Sequence, residues 1–156
     1  MLDLVPKVLT DCGVQKIFHK IAVKPGKPIW FGRRVQDSHT CYVFGLPGNP
    51  VSSLVGYHLF VCHAIDCMFE QIPRQRWRCA RLANDHHTRG NRPTFWPGRI
   101  VVDSKSTRYV IPEQWNGSSD LRTLGSSDCL IHFPVEKHDY HAEEEVEIWP
   151  LDHGHL

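Results

Sequence analysis

Two short stretches of this chain carry residue types that suit an anion. Lys24-Pro25-Gly26-Lys27-Pro28 sets two ammonium groups in a loop stiffened by prolines and opened by one glycine. Gly45-Leu46-Pro47-Gly48-Asn49-Pro50-Val51-Ser52 follows the β-prone run Cys41-Tyr42-Val43-Phe44 and precedes the apolar segment Leu54 to Phe69. That order predicts a strand, a tight glycine loop and a helix. Gly45 and Gly48 are residues that let a backbone bend, or a ligand approach, where a Cβ would clash. Asn49 followed by Pro50 predicts a helix opening, with an N-cap side chain and proline at the first helical position. A helix start presents free N–H groups and partial positive charge. Two basic or glycine-rich loops around it point to a phosphate-like or other oxyanion ligand.

The elements that must hold these loops fall into two kinds. Leu4, Val5, Val8 and Leu9 share one face of a short helix closed by Gly13. Val14 to Val23 and Pro28 to Gly32 read as strands, and Arg33 to Thr40 as a polar turn. Helices and strands alternating across short loops predict an α/β layer with some parallel pairing. The character changes beyond Pro73. Trp77 to Leu82, Arg99 to Asp103, Arg108 to Ile111, Cys129 to Phe133 and Glu145 to Trp149 are short strand candidates, with turn-rich segments such as Asn91-Arg92-Pro93 between them. This predicts a small β-barrel or sandwich. The expected division is 1–73, an incomplete α/β layer, and 74–156, an all-β domain.

Composition narrows the function classes. The chain has 156 residues, 41% of them hydrophobic, which suits a folded protein of one ordinary domain or two small ones. A formal net charge of +1 gives no general field for nucleic acid. The longest apolar segment contains His58, His63 and Asp66, so no membrane span is expected. Six scattered cysteines without a Cys-x-x-Cys pair predict reduced, mostly buried thiols of a cytoplasmic protein. Spacings such as His58/Cys62 and His138/His141 do not assemble a four-ligand zinc set. The five tryptophans read as core or interface aromatics.

KPGKP at 24–28 and GLPGNPVS at 45–52, in that order, resemble the molybdopterin molybdotransferase family, which includes bacterial MoeA proteins and the E domain of gephyrin. Gly117-Ser118-Ser119-Asp120-Leu121-Arg122-Thr123-Leu124 resembles that family's G-S-G-D-L-R-S-L. Asp128-Cys129-Leu130-Ile131 resembles its DGLI strand, and Glu145-Val146-Glu147-Ile148 with Pro150-Leu151 its VEVLPL ending. The resemblance covers nearly all of this chain but only the C-terminal portion of the family. Of the family's upstream G-G-V-S-x-G-x-x-D motif, only the last residue has a counterpart, Asp3. The fold implied is a partial molybdopterin-binding-like α/β layer followed by a MoeA-like C-terminal β-barrel.

The resemblance implies an enzyme that inserts molybdate into adenylylated molybdopterin and releases AMP with a divalent metal, usually Mg2+. Lys24, Lys27, Gly48, Asn49 and Ser52 would meet the oxyanion, with Lys24 and Lys27 as catalytic cations. Asp3 would serve as catalytic carboxylate and metal ligand. Ser118 or Ser119 would supply a barrel serine. The family's barrel arginine has no direct counterpart, because Trp96-Pro97-Gly98-Arg99 stands where it is expected; Arg99 is the substitute. Glu143 stands where the family often has a turn glycine. The expected partners are small-molecule substrates and either a second copy in a homodimer or a chain supplying the missing half, with no nucleic acid and no membrane. The alternative is a truncated, non-catalytic remnant or assembly module that binds an oxyanion or a partner subunit.

Overall fold

The computed structural model describes residues 3–69, 77–117 and 119–151. The expected division at 73/74 and Ser118 lie outside the described residues. The first part is a three-stranded sheet in the order β1 (Gln15–His19), β2 (Trp30–Gln36), β3 (His39–Gly45). Both pairings are antiparallel, which corrects the expectation of parallel strands in this layer. The reason is local. β2 and β3 are joined across Asp37 and Ser38, with Asp37 at φ 53°, and so tight a connection permits only an antiparallel return. Arg33 to Thr40 is therefore mostly strand rather than turn. Its polar side chains reflect exposure, since residues 33–36 are all exposed.

Helix α1 (Val5–Asp11) ends at Cys12, and Gly13 follows at φ 78°. None of its residues is buried, and Leu4, Val5 and Val8 are more than half exposed. The predicted long helix exists as α2 (Pro50–Gly56), one π-helical turn over Tyr57–Val61, and α3 (Cys62–Met68). This run of 19 residues is long and apolar enough by composition to cross a membrane, a length the sequence reading did not give it. Here it packs on the sheet. Phe60 meets Phe18 at 6.0 Å between ring centroids, Phe18 meets Phe31 at 5.3 Å, and Phe31 stacks on Phe44 at 4.4 Å. Such offset and tilted aromatic pairs add to the gain from burial.

The second part is the expected barrel. Among the described residues, five strands close in the order β10 (Glu145–Pro150), β4 (Arg78–Leu82), β7 (Arg108–Pro112), β6 (Thr94–Val102), β8 (Cys129–Phe133). β4 and β7 are parallel, and the other pairs are antiparallel. A two-residue pair, β5 (His86–His87) with β9 (Asp139–Tyr140), and a short helix α4 (Leu121–Gly125) complete it. β5 and β9 are too short to show alternation. β6 begins five residues earlier than predicted, because Pro93, Pro97 and Gly98 resemble strand breakers. Pro97 is nevertheless paired with Leu130 and fully buried, and its carbonyl accepts from the Glu113 N–H at 3.0 Å. Gly98 faces the core: a Cβ there would meet Ile131 Cδ1 at 2.7 Å.

Ala80, Leu82, Val110, Ile131, Phe133 and Ile148 are among the buried residues of one core inside the barrel. A second cluster joins the two parts: Val55 from α2 packs with Phe95, Leu130, Trp149 and Leu151 from the barrel side. A fully buried side chain of this size contributes about 1.5–3 kcal/mol relative to exposure, so this seam fixes the barrel against the helix start. All six cysteines are free, but Cys12, Cys41, Cys67 and Cys79 are exposed, which corrects the expectation of mostly buried thiols. Buried Cys129 donates to Gly98 O, and burial, then Asp128, pushes its thiol up to about 12.

Two consequences are measurable. Glu143 sits at φ 68°, and its carboxylate takes exposed contacts from Arg81 at 3.4 Å and Tyr109 at 3.3 Å. The left-handed conformation costs a non-glycine residue roughly 1–2 kcal/mol, while an exposed ion pair returns about 0–1 kcal/mol. Glu143→Gly is expected to leave stability unchanged or raise it by up to ~1 kcal/mol in urea unfolding; a loss larger than that contradicts the assignment. His86 is stacked on Phe133 at 4.7 Å and edge-on to Trp96 at 4.6 Å, with its Nε2 buried and unpartnered. Burial first, and His87 second, hold its pKa below 6.5. A depressed folded pKa gives stability that is complete above the unfolded value and lost as pH falls through the folded one. His86→Phe should therefore remove part of the stability loss between about pH 7 and 5. Superimposable pH profiles would contradict this.

Candidate functional site

Lys24 is held by its backbone. Its N–H donates to Pro93 O at 3.0 Å and its carbonyl accepts from Phe95 N–H at 2.7 Å, forming a parallel bridge to the start of β6. The loop folds back on itself through Ile21 N–H to Lys27 O and Ile29 N–H to Gly26 O. The Lys24–Pro25 peptide is cis, and Gly26 has φ 116°. A Cβ on Gly26 would lie 3.4 Å from Val23 and 3.8 Å from Ser52 O, so the lysine loop runs against the start of α2.

These contacts enclose a cleft of about 280 Å³. Lys24, Lys27 and their prolines form one wall, and Pro47, Asn49 and Ser52 form a second. Arg92, Trp115 and Gly117, from the barrel, form the third. Three cationic side chains lie in its lining, and among the described residues no carboxylate does. Such a set attracts an anion strongly once the walls exclude water. Ser52 is 3% exposed, and Lys24 Nζ also reaches Arg89 O at 3.4 Å. A second cleft is lined, among the described residues, by Phe31, Tyr42, Ala64, Cys67 and Met68.

The structure thus brings together Lys24, Lys27, Asn49 and Ser52. Asn49 stands at the N-cap, but its side chain makes no capping hydrogen bond, which corrects the expectation; Ser53 Oγ donates to Pro47 O, and Asn49 lines the cleft. Gly48 is outside the lining, and a Cβ there would meet nothing within 4 Å, so close approach does not explain this glycine. Gly45 serves strand packing, with 3.2 Å from its would-be Cβ to Trp30 Cβ. Ser119 and Arg99 are also outside the lining, and Arg99 Nε lies 3.5 Å from Glu113 Oε1. Asp3 Oδ1 accepts from Val5 N–H at 3.2 Å, at the entry to α1. Among the described residues no three His, Cys, Asp or Glu side chains converge as a metal site. Asp3 by itself does not make the oxygen cage that magnesium takes.

Sequence reasoning missed Arg92 and Trp115. Arg92 sits in a segment read as a mere separator, and only the Lys24 bridge to Thr94 brings it to the lysines. Trp115 reads as a core aromatic, and it does pack edge-on against Trp96 at 4.9 Å. Its loop is built by Asp120, whose carboxylate accepts from Asn116 N–H at 3.3 Å and Thr123 N–H at 3.2 Å. The Thr123 hydroxyl lies 2.8 Å from Asp120 Oδ2 and 3.1 Å from Gln114 O, so it donates to one at a time.

The chain is an α/β layer joined to a small β-barrel, with a basic cleft at the junction. Residues 2–66 match the probable molybdopterin binding domain, and residues 79–151 match the MoeA C-terminal region (domain IV). The chain belongs to the MoeA family, of which it corresponds to a C-terminal portion. It is 34% identical over 155 residues to the molybdenum cofactor synthesis protein cinnamon of Drosophila melanogaster, covering 95% of this chain and 24% of that protein. It is 30% identical to the molybdopterin molybdenumtransferase of Synechococcus elongatus, covering 96% of this chain and 35% of that one. The crystal structure of the molybdopterin biosynthesis MoeA protein from Pyrococcus horikoshii OT3 superimposes with a TM-score of 0.67 at 28% identity, over 88% of this chain and 33% of the other. The chain therefore spans about a quarter to a third of the length of these relatives.

The Asp120 bonds also hold its carboxyl below the usual value, the Thr123 side chain contributing most. Such a group stabilises the fold above its unfolded pKa and loses that contribution as pH falls through the folded one. Asp120→Ala is expected to speed amide exchange at Asn116 and Thr123 roughly tenfold near neutral pH. Unchanged exchange at both would show that Asp120 does not hold the Trp115 loop.

Proposed function

We propose that the cleft between the lysine loop, the α2 start and the barrel binds molybdate. On this reading the chain contributes that half-site to insertion of molybdenum into adenylylated molybdopterin, with release of AMP. The observation that carries it is the convergence of Lys24, Lys27, Asn49 and Ser52 on one cleft that, among the described residues, no carboxylate lines. Family membership and relatives named molybdopterin molybdenumtransferase support the same chemistry.

The residues act by electrostatics and position. Lys24 and Lys27 neutralise the dianion as ammonium donors. Ser52 offers a hydroxyl and Asn49 an amide, which orient the oxygens. Ordering Lys24 through its own backbone keeps one cation in place before the ligand arrives, which is how a site avoids reorganisation during reaction. Six unpaired cysteines suit a reducing compartment, and the reading places the protein in the cytoplasm.

One observation favours a second reading, an assembly module. Leu4, Val5 and Val8 of the α1 region, together with Ile17, Val35 and Tyr42 of the sheet, are exposed. A three-stranded sheet with such a surface is suited to pairing with a second copy or with a chain that supplies further strands.

The test is molybdate calorimetry on the purified chain, with Lys24→Ala/Lys27→Ala beside it. The parent is expected to bind, and the double variant to lose at least about a hundredfold in affinity, as removal of two charge-assisted contacts implies. Equal binding by a folded double variant would overturn the site. No binding by the folded parent would leave the assembly reading.

A further inference from the structure

We infer that Trp115 is a specificity-determining residue of the cleft: it receives a flat nitrogen-heterocyclic ring that the bound oxyanion carries. This rests on the reading of the cleft as an oxyanion site. Trp115 lines the cleft together with Pro25, Pro28 and Pro47. Indole has one hydrogen-bond donor and no acceptor. That donor is spent inside the loop, where Trp115 Nε1–H donates to Gly117 O. What Trp115 brings to the cleft is therefore apolar π surface and not a hydrogen bond.

The ring is also held in place. It packs against Trp96 at 4.9 Å with 87° between the planes. Trp96 donates its Nε1–H to Glu113 O at 2.9 Å and packs edge-on against His86 at 4.6 Å, and His86 stacks on buried Phe133 at 4.7 Å. A train of four rings thus runs from the barrel core to the cleft. Asp120 fixes the loop from the other side, at the Asn116 N–H. A tetrahedral oxyanion uses the cations and hydroxyl of the cleft but gains nothing from an indole and three prolines. Pressing its oxygens against apolar surface costs free energy. A flat heteroaromatic ring gains there, because every such ring has a π face that stacks on an aromatic side chain whatever its substituents. A fixed indole beside Lys24 and Lys27 therefore suits a ligand with one anionic end and one flat end. Adenine and pterin rings both fit that chemistry, and the experiment tells them apart.

The experiment measures binding of ring-bearing anions and ring-free ones by the parent, Trp115→Leu and Trp115→Phe. AMP is paired with ribose 5-phosphate, pterin-6-carboxylate with acetate, and sodium molybdate is the ring-free dianion. The parent is expected to prefer at least one ring-bearing anion to its ring-free counterpart by about tenfold or more, and the pair that shows it names the ring. Trp115→Leu should lower that preference roughly five- to a hundredfold and leave molybdate affinity within about twofold. Trp115→Phe should restore most of it. The ring ligand should also quench indole fluorescence, and Trp115→Phe should remove that quench. Should the leucine variant fail to fold, the quench decides: one that is unchanged in Trp115→Phe overturns the inference. So does a parent without preference for either ring, or a folded Trp115→Leu that keeps the preference. A merely structural Trp115 would give a variant that loses molybdate and ring-bearing anions alike, and that result overturns it too. If a folded Lys24→Ala/Lys27→Ala binds every anion as the parent does, the cleft itself is not the anion site. If that variant loses them while Trp115→Leu binds all as the parent does, only the assignment of Trp115 falls.

Discussion

The two hydrogen bonds on the Lys24 backbone, from its N–H to Pro93 O and from Phe95 N–H to its carbonyl, are the constraint on which the rest of the site depends. They make one residue of the lysine loop a strand-like neighbour of β6. Within its own layer the loop is tied through Ile21, Lys27 and Ile29. With the two Lys24 bonds the barrel enters the site, because Arg92 stands two residues before the start of β6. The Arg92 bond to Val23 O reinforces the same clasp from the side chain.

The clasp is polar and partly exposed, so its net contribution is modest, about 0.5–1.5 kcal/mol per hydrogen bond. The apolar seam beneath it supplies the rigidity. Phe95 serves both, since its N–H holds Lys24 while its ring packs with Leu130, Trp149 and Val55. Val55 belongs to α2, three residues beyond Ser52, so the seam also sets the distance between the helix start and the barrel. Position of the cleft residues is thus a property of the junction, and neither part holds the site alone.

Much of this was legible in the chain. KPGKP and GLPGNPVS marked two of the three walls, and the change in pattern beyond Pro73 marked an all-β part. Short strand-like runs between turns identified β4, β7, β8 and β10. The remainder failed for physical reasons. Polarity in Arg33 to Thr40 reported solvent exposure rather than conformation, hiding a hairpin. Pro97 and Gly98 read as breakers, although the strand accepts a proline where its missing N–H is not needed and a glycine where Ile131 leaves no room. Arg92 could not be found at all by local reasoning, because a long-range bridge between Lys24 and Thr94 brings it to the cleft. Arg99 is near in sequence to the place where an arginine is expected, but its charge is turned to Glu113 instead.

The most direct test of the account is the position of an anion in a crystal. Tungstate, an isosteric heavy-atom stand-in for molybdate, can be located by its anomalous scattering in crystals of this chain. The account expects a peak inside the cleft, within hydrogen-bonding reach of Lys24 and Lys27. A well-occupied peak elsewhere, with that cleft empty at the same tungstate concentration, would contradict it.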